Sequence, residues 1–224
     1  MNLFPYKRLN KWLLTLGLMI SYLIFEIVYI LIGIDLTNLT FDMYLLLTII
    51  KYSFFMLLLI IIYRKYLKEK WFDFRKNFSK YMKISIKDWY VGILIMLFSN
   101  IIINQFIPNL GENEETIQSM ITLSPIYALI FTSFFAPFNE EMIYRKSLQN
   151  CFNNKYLFMI VSGLIFGFIH VMGSNNPYEY LLIIPYGALG FMFAHTLSKT
   201  DNIYCTIIMH MMHNFILTII SMVI

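Results

Sequence analysis

The segment FTSFFAPFNEEMIYRKSL, from Phe131 to Leu148, joins an apolar run to a proline, two adjacent glutamates and an arginine. Its first half has the composition of a helix that crosses a lipid bilayer. Ionisable residues inside such a helix are energetically costly and usually belong to a functional site. The segment therefore predicts a membrane-spanning helix whose charged residues have a function.

The rest of the chain has the composition of a membrane protein. Of its 224 residues, 59% are hydrophobic and 13% are charged, whereas soluble domains carry about 25% charged residues. Several apolar runs reach the roughly 20 residues that a helix needs to cross the bilayer. We predict an all-α, polytopic transmembrane bundle with about seven spans. The predicted spans are residues 12–33, 43–63, 89–107, 126–150, 156–173, 179–197 and 202–222.

The basic residues follow the positive-inside pattern of such proteins. All of the 17 Lys and Arg residues except Lys51, Arg145 and its neighbour Lys146 lie in the N-terminal tail and in alternate loops. This distribution predicts a multi-pass protein with a cytoplasmic N-terminus and a retained first span. It also argues against a nucleic-acid partner for the net charge of +4. The Ile-, Lys- and Asn-rich composition favours a bacterial plasma membrane.

The stretch RKYLKEKWFDFRKNFSKYMKISIKD, from Arg64 to Asp88, interleaves basic and aromatic residues. On the cytoplasmic side such a sequence suits anionic lipid headgroups, with the aromatic rings at the interface. We predict a cytoplasmic interfacial helix between spans two and three, with a solvated loop as the alternative. The sequence has no internal repeat and no second domain, so we treat residues 1–224 as a single membrane domain.

Two further patterns are expected to be structural. Glu26 and Lys51 would lie at similar depth in the hairpin of the first two spans, and we predict an ion pair between them because either charge alone is costly in a membrane. The spacing of Gly163 and Gly167 is typical of closely packed helices.

Helix geometry separates the two glutamates of the opening segment. Neighbouring helical residues point about 100° apart, so we expect that Glu140 and Glu141 cannot both face the same partner. Glu141 and Arg145 are four residues apart and are predicted to form an ion pair on one face. Glu140 has no local cation. Pro137 removes a backbone hydrogen bond, which indicates either a wet cavity near the glutamates or a simple kink.

Polar residues of the later spans complete a candidate site. His170 lies in the fifth span, His195 near the inner end of the sixth, and His213 in the seventh. His210 and Asn214, also in the seventh span, share a helix face because they are four residues apart. Glutamate with histidine can deprotonate a water, and histidine and asparagine donors can stabilise an oxyanion. These residue types indicate hydrolysis of an amide.

A metal site is the alternative chemistry for the same residues. Glu140, His170 and His210 could supply the three protein ligands of a catalytic zinc ion. The H-E-x-x-H signature of soluble zinc proteases is absent from the sequence. The sequence therefore leaves both a metal-free mechanism and a divalent-metal mechanism open.

Three motifs resemble those of the CAAX proteases and bacteriocin-processing enzymes, the CPBP or Abi family, which includes the eukaryotic type II CAAX prenyl endopeptidase. The motifs are Glu140-Glu141-x-x-x-Arg145, Phe166-x-x-x-His170 and His210-x-x-x-Asn214. They fall on three separate spans, within a predicted catalytic core at residues 126–216.

The resemblance implies an intramembrane endopeptidase that acts on a membrane-associated peptide or protein. By position, Glu140 would activate a water and His170 would help to hold it. His210 and Asn214 would supply an oxyanion hole, and the second glutamate and the arginine of the first motif would support the site. CAAX-type processing, maturation of a bacteriocin or leader peptide, and self-immunity are the settings that the resemblance implies.

Two functions of other classes are alternatives. A non-catalytic membrane scaffold or regulator could retain the fold, although such a protein would be expected to lose motif residues, and all of them are present. A small proton-coupled transporter could use Glu140 and the histidines as a proton relay. The sequence shows no sign of the paired halves that many transporters have.

Overall fold

A computed structural model describes residues 8–34, 39–106, 111–172 and 174–223, with side chains from residue 10 onward. These residues form helices joined by short connections, and no strand occurs in the described ranges. The prediction of an all-α membrane bundle is therefore confirmed.

The bundle consists of long spans and several short helices. The α-helices are α1 (Arg8–Ile24), α2 (Glu26–Leu31), α3 (Phe41–Lys76), α4 (Phe78–Ile103), α5 (Glu112–Leu123), α6 (Pro125–Ile130), α7 (Ala136–Glu140), α8 (Lys155–Ile169), α9 (Ile183–Thr200) and α10 (Ile203–Val223). Two π-helical segments, Phe131–Phe135 and Glu141–Ser147, precede and follow α7, and a 3₁₀ helix, Pro177–Leu182, precedes α9.

Within the described ranges, four helical stretches are long and apolar enough to cross a membrane. They are α3, α4, α10 and the stretch Pro177–Thr200, which contains α9. These four correspond to the second, third, seventh and sixth predicted spans. The first and fifth predicted spans contain the shorter apolar helices Asn10–Ile24 and Lys155–Ile169. The fourth predicted span is divided among α6, α7 and the two π-helical segments. The predicted count of seven spans is therefore not confirmed.

The predicted interfacial helix between spans two and three is not a separate helix. Its residues extend α3 to Lys76 and begin α4 at Phe78, so that two long helices meet at Asn77. The stretch contains no proline or glycine that would end α3 earlier. Tyr66 and Phe74 of this extension are buried, which ties it to the bundle. Docking of the hairpin to lipid headgroups stays a prediction.

Asp73 links this hairpin to the turn between α9 and α10. Its carboxylate accepts hydrogen bonds from the hydroxyl of Tyr81 at 2.7 Å and from Nδ2 of Asn202 at 3.0 Å. Nδ2 of Asn202 also donates to the carbonyl of Lys70 at 2.8 Å. In the same turn Asp201 adopts a left-handed backbone with φ 47°. These contacts fix the start of α10, the helix that carries the third motif.

The predicted ion pair in the first helical hairpin is confirmed. Nζ of Lys51, on α3, lies 2.9 Å from Oε1 of Glu26. Glu26 begins α2 directly after a break that ends α1 at Ile24. The pair therefore bridges the long helix α3 and the second part of the interrupted first span.

The predicted close packing of the two glycines is also confirmed. A Cβ atom on Gly163 would lie 2.9 Å from the carbonyl oxygen of Gly187, and one on Gly167 would lie 2.5 Å from that of Ile183. Both distances are shorter than ordinary contacts, so α8 and α9 approach backbone to backbone. This approach places the second motif, at the end of α8, against α9.

Replacing Gly167 by alanine is expected to destabilise the protein by about 1–3 kcal/mol, because the added methyl group would push α8 away from α9. Gly17 is the matched control, since a Cβ atom there would meet no atom within 4 Å. Gly17→Ala should be neutral or stabilise the helix by up to about 1 kcal/mol. Thermal unfolding in detergent measures both variants, and equal melting temperatures would contradict the packing argument.

Candidate active site

The first motif lies where the helix changes from α to π geometry. The helix α7 ends at Glu140, and the second π-helical segment begins at Glu141 and continues to Ser147. A π turn contains one more residue per hydrogen bond than an α turn, and such turns are frequent at functional sites. The two glutamates therefore occupy a boundary at which the orientation of successive side chains changes.

Pro137 leaves one specific carbonyl without its backbone donor. In the first π-helical segment the N–H of Ala136 donates to the carbonyl of Phe131. The next bond of this pattern would join residue 137 to the carbonyl of Thr132, but proline has no N–H. Nδ2 of Asn214 donates to that carbonyl at 2.8 Å. A neighbouring helix thus satisfies the freed carbonyl and couples the first motif to the third.

Glu141 is buried completely and contacts both an arginine and a histidine. Its Oε2 lies 3.5 Å from Nε of Arg145, and both side chains are inaccessible to solvent. Its Oε1 lies 2.9 Å from Nδ1 of His210. The predicted pair with Arg145 is confirmed, whereas the contact with His210 was not predicted.

Glu140 lies on the other side of His210. Its Oε2 is 3.9 Å from Nε2 of that histidine, and its side chain is 14% exposed. The expectation that Glu140 and Glu141 cannot face the same partner is therefore wrong. The physical reason is that an imidazole ring has nitrogens on opposite sides, so two differently oriented carboxylates can each approach one of them.

Phe166, the first residue of the second motif, contacts Arg145 of the first motif and His170 of its own motif. Its ring centroid lies 3.9 Å from the guanidinium carbon of Arg145, a cation–π contact. Its carbonyl lies 2.8 Å from Nδ1 of His170. Because a carbonyl only accepts hydrogen bonds, Nδ1 of His170 carries a proton. Phe166 had no predicted role of its own, although its spacing of four residues from His170 places the two side chains on one helix face.

His170 is also held by a residue that the sequence analysis missed. Its ring stacks on that of Tyr186, on α9, with 4.5 Å between the ring centroids. The hydroxyl of Tyr186 donates to Glu114, on α5. Burial raises the pKa of the Glu114 carboxyl above its usual value. A single tyrosine in an apolar span gives no sequence signal for this contact.

One cavity of about 380 Å³ joins the predicted catalytic residues. Its lining includes Glu140, His170, His210 and Asn214. The volume falls in the range of small-molecule and peptide-sized pockets. The structure thus brings these side chains together, and their catalytic roles stay predictions.

The other two histidines have different positions. His213 lines the same cavity. His195 lies elsewhere, with its Nδ1 3.0 Å from Oδ2 of Asp88, which is buried between α4 and α9. His195 therefore belongs to a helix-packing contact and not to the candidate active site.

The metal alternative requires Glu140, His170 and His210 to converge on one ion. In the ranges covered by the structure, no group of three His, Cys, Asp or Glu side chains is arranged to hold a metal ion. Binding of a divalent metal by these three residues stays a prediction.

Comparison with a protein family supports the motif analysis. Residues 122–216 match the family model of the type II CAAX prenyl endopeptidase, Rce1-like. The resemblance inferred from the three motifs is confirmed over this part of the chain.

Several curated proteins are similar to a larger part of the chain. "Putative membrane peptidase YdiL" of Bacillus subtilis is 31% identical over 58% of this chain and 54% of its own length. An uncharacterized protein of Mycoplasma capricolum is 34% identical over 64% of this chain and 45% of its own. "UPF0177 protein YvdC" of Lactococcus lactis is 26% identical over 59% of this chain and 49% of its own. The chain spans about half the length of these curated relatives. No solved structure matches the chain.

Proposed function

We propose that this protein is an intramembrane endopeptidase in which Glu140 activates the attacking water. The observation that carries the proposal is the position of Glu140 beside Nε2 of His210 in a cavity within the bundle. The match of residues 122–216 to the prenyl endopeptidase family supports the same reaction class.

The space between Glu140 and His210 suits a bridging water. Their facing atoms are 3.9 Å apart, which is too long for a direct hydrogen bond, whereas a water can lie about 2.8 Å from each of two such atoms. Glu140 would take a proton from this water as the water oxygen attacks the carbonyl carbon of the substrate. The protonated Glu140 would then give the proton to the leaving amine nitrogen as the C–N bond breaks.

His210 and Asn214 are placed to stabilise the intermediate. Because Nδ1 of His210 contacts the carboxylate of Glu141, that nitrogen carries a proton and Nε2 faces the cavity. Donation from Nε2 to the oxyanion would require a second proton on the ring, taken from solvent, and the carboxylate of Glu141 would balance the resulting positive charge. Asn214 uses one amide N–H on the carbonyl of Thr132, and its second N–H remains for the oxyanion.

The proposed substrate is a membrane-associated peptide or protein. A catalytic cavity among membrane-spanning helices favours a substrate that is already held at the bilayer. CAAX-type cleavage, maturation of a bacteriocin or leader peptide, and self-immunity are the proposed settings. The proposal includes a multi-pass location in a cell membrane with a cytoplasmic N-terminus, for which the positions of the basic residues are the support.

The function is tested by incubating the purified protein, in lipid nanodiscs, with a library of membrane-associated peptides. Mass spectrometry should identify peptides cleaved at an internal amide bond. The same preparation with Glu140→Gln should leave those peptides intact. A library that the wild-type protein leaves uncut under all lipid compositions would argue for the non-catalytic scaffold.

Removal of metal ions is expected to leave cleavage unchanged, because the described residues provide no metal-ligand set. The measurement compares the cleavage rate before and after treatment with a strong chelator, with a known zinc protease as the positive control. Loss of activity that added zinc restores would contradict the glutamate–water mechanism. That result would instead favour the set of Glu140, His170 and His210 as ligands.

A further inference from the structure

Lys51 lines the same cavity as Glu140, although its sequence context predicts only a structural ion pair. It lies within an apolar stretch of α3, and its side chain is 13% exposed. Its partner Glu26 is 60% exposed. An ammonium has three donors, so a single contact with one carboxylate oxygen leaves donors for another ligand.

Two aromatic rings hold the ammonium group at the cavity wall. Nζ of Lys51 lies 5.4 Å from the ring centroid of Tyr22 and 5.9 Å from that of Tyr52. Such cation–π contacts stabilise a positive charge without neutralising it. Tyr52 lines the cavity too, and its ring packs against Phe131 with 4.5 Å between centroids. The cation is thus held in place at the wall of the cavity that Glu140 and His210 also line.

The cavity lining carries one basic side chain and three carboxylates. Among the lining residues that the structure describes, Lys51 is the one lysine or arginine, and the carboxylates are those of Glu26, Glu114 and Glu140. An anionic group on a bound peptide would therefore find its counter-charge at Lys51. Glu26 stands at a break in the first span and lines the same cavity, so a ligand carboxylate that enters the cavity can compete with Glu26 for Lys51.

We propose that Lys51 binds a carboxylate of the substrate and thereby sets the position of the scissile bond relative to Glu140. The carboxylate is either the C-terminus of the peptide or an acidic side chain. Charge-assisted contacts of this kind are short and strong in a site with little water. The inference rests on the proposed endopeptidase function. It makes Lys51 a specificity-determining residue. When the cavity holds no peptide, Glu26 occupies the place of the substrate carboxylate.

A purely structural pair and a substrate anchor predict opposite behaviour for the two partners. If the pair only joins α2 to α3, Glu26→Gln and Lys51→Met should have similar effects on stability and none on ligand choice. If Lys51 is an anchor, Glu26→Gln removes a competitor and should strengthen carboxylate binding. Lys51→Met should abolish it, and Lys51→Arg should keep part of it.

The test measures binding rather than cleavage, so that it is independent of the proposed reaction. The probe is a fluorescent hydrophobic tetrapeptide, as the free acid and as the C-terminal amide, added to the full chain in detergent. An amidated peptide with one internal glutamate, compared with its glutamine counterpart, distinguishes an acidic side chain from the C-terminus. We expect one of the two carboxylate peptides to bind at least about tenfold more tightly than its neutral counterpart, as a hydrogen bond to a charged group would give.

The variants then decide the assignment. The preference for a carboxylate should disappear in Lys51→Met and increase in Glu26→Gln, while circular dichroism shows both to be folded. An unchanged preference in Lys51→Met, equal losses in the two variants, or no carboxylate preference in the wild-type protein would overturn the proposal. If the protein bound carboxylate peptides as expected but cleaved no peptide, the result would count against the proposed reaction and not against the role of Lys51.

Discussion

Glu140→Gln is expected to lower the rate of peptide cleavage by about 10²–10⁴-fold while the protein remains folded. Glutamine keeps the size of the side chain and one acceptor oxygen but cannot take a proton from water. The side chain of Glu140 is 14% exposed and faces Nε2 of His210 at 3.9 Å. When the charge of Glu140 is removed, His210 keeps its contact with the carboxylate of Glu141 at 2.9 Å.

The measurement is the initial rate of product formation, with the melting temperature of each preparation as a check on folding. Glu115→Gln is the matched control, because it makes the same chemical change at an exposed position of α5. This control should cleave at the wild-type rate. Full activity of folded Glu140→Gln would exclude Glu140 as the base and remove the main support for the proposed mechanism.

The contacts that the sequence predicted correctly follow from spacing along one helix or from depth in a hairpin. Glu141 and Arg145 are four residues apart, a separation that brings side chains together on any helix. Glu26 and Lys51 are at similar distances from the loop between their spans. Such relations survive small errors in helix boundaries, because spacing along a helix and depth below a shared loop change little when a boundary shifts by a residue.

The contacts that the sequence could not predict depend on helix rotation. The π-helical segments on either side of α7 change the direction of the side chains that follow, and their presence has no recognised signal in the sequence. His210 therefore contacts both glutamates, and Asn214 donates to Thr132 rather than only into the cavity. The stacking of Tyr186 on His170 similarly depends on how α8 and α9 meet.

Glu141→Ala is expected to destabilise the protein by about 3–5 kcal/mol, because it leaves a buried arginine without its counter-charge. Arg145 is fully buried, and none of its side-chain nitrogens makes a hydrogen bond within the described ranges. Its charge is therefore balanced by Glu141, 3.5 Å away, and by the ring of Phe166. Denaturant unfolding followed by circular dichroism in detergent measures the loss.

The double variant Glu141→Ala/Arg145→Leu separates this electrostatic effect from the loss of packing. Removing both charges leaves neither member of the pair as an unpaired buried ion, so the double variant should be more stable than Glu141→Ala alone. Cleavage should remain low in both, because His210 loses the carboxylate that orients its Nδ1 at 2.9 Å. If the double variant were as unstable as the single one, the pair would not be the reason for the loss. Recovered stability without recovered activity would show that Glu141 stabilises the fold through Arg145 and positions the catalytic histidine through a separate contact.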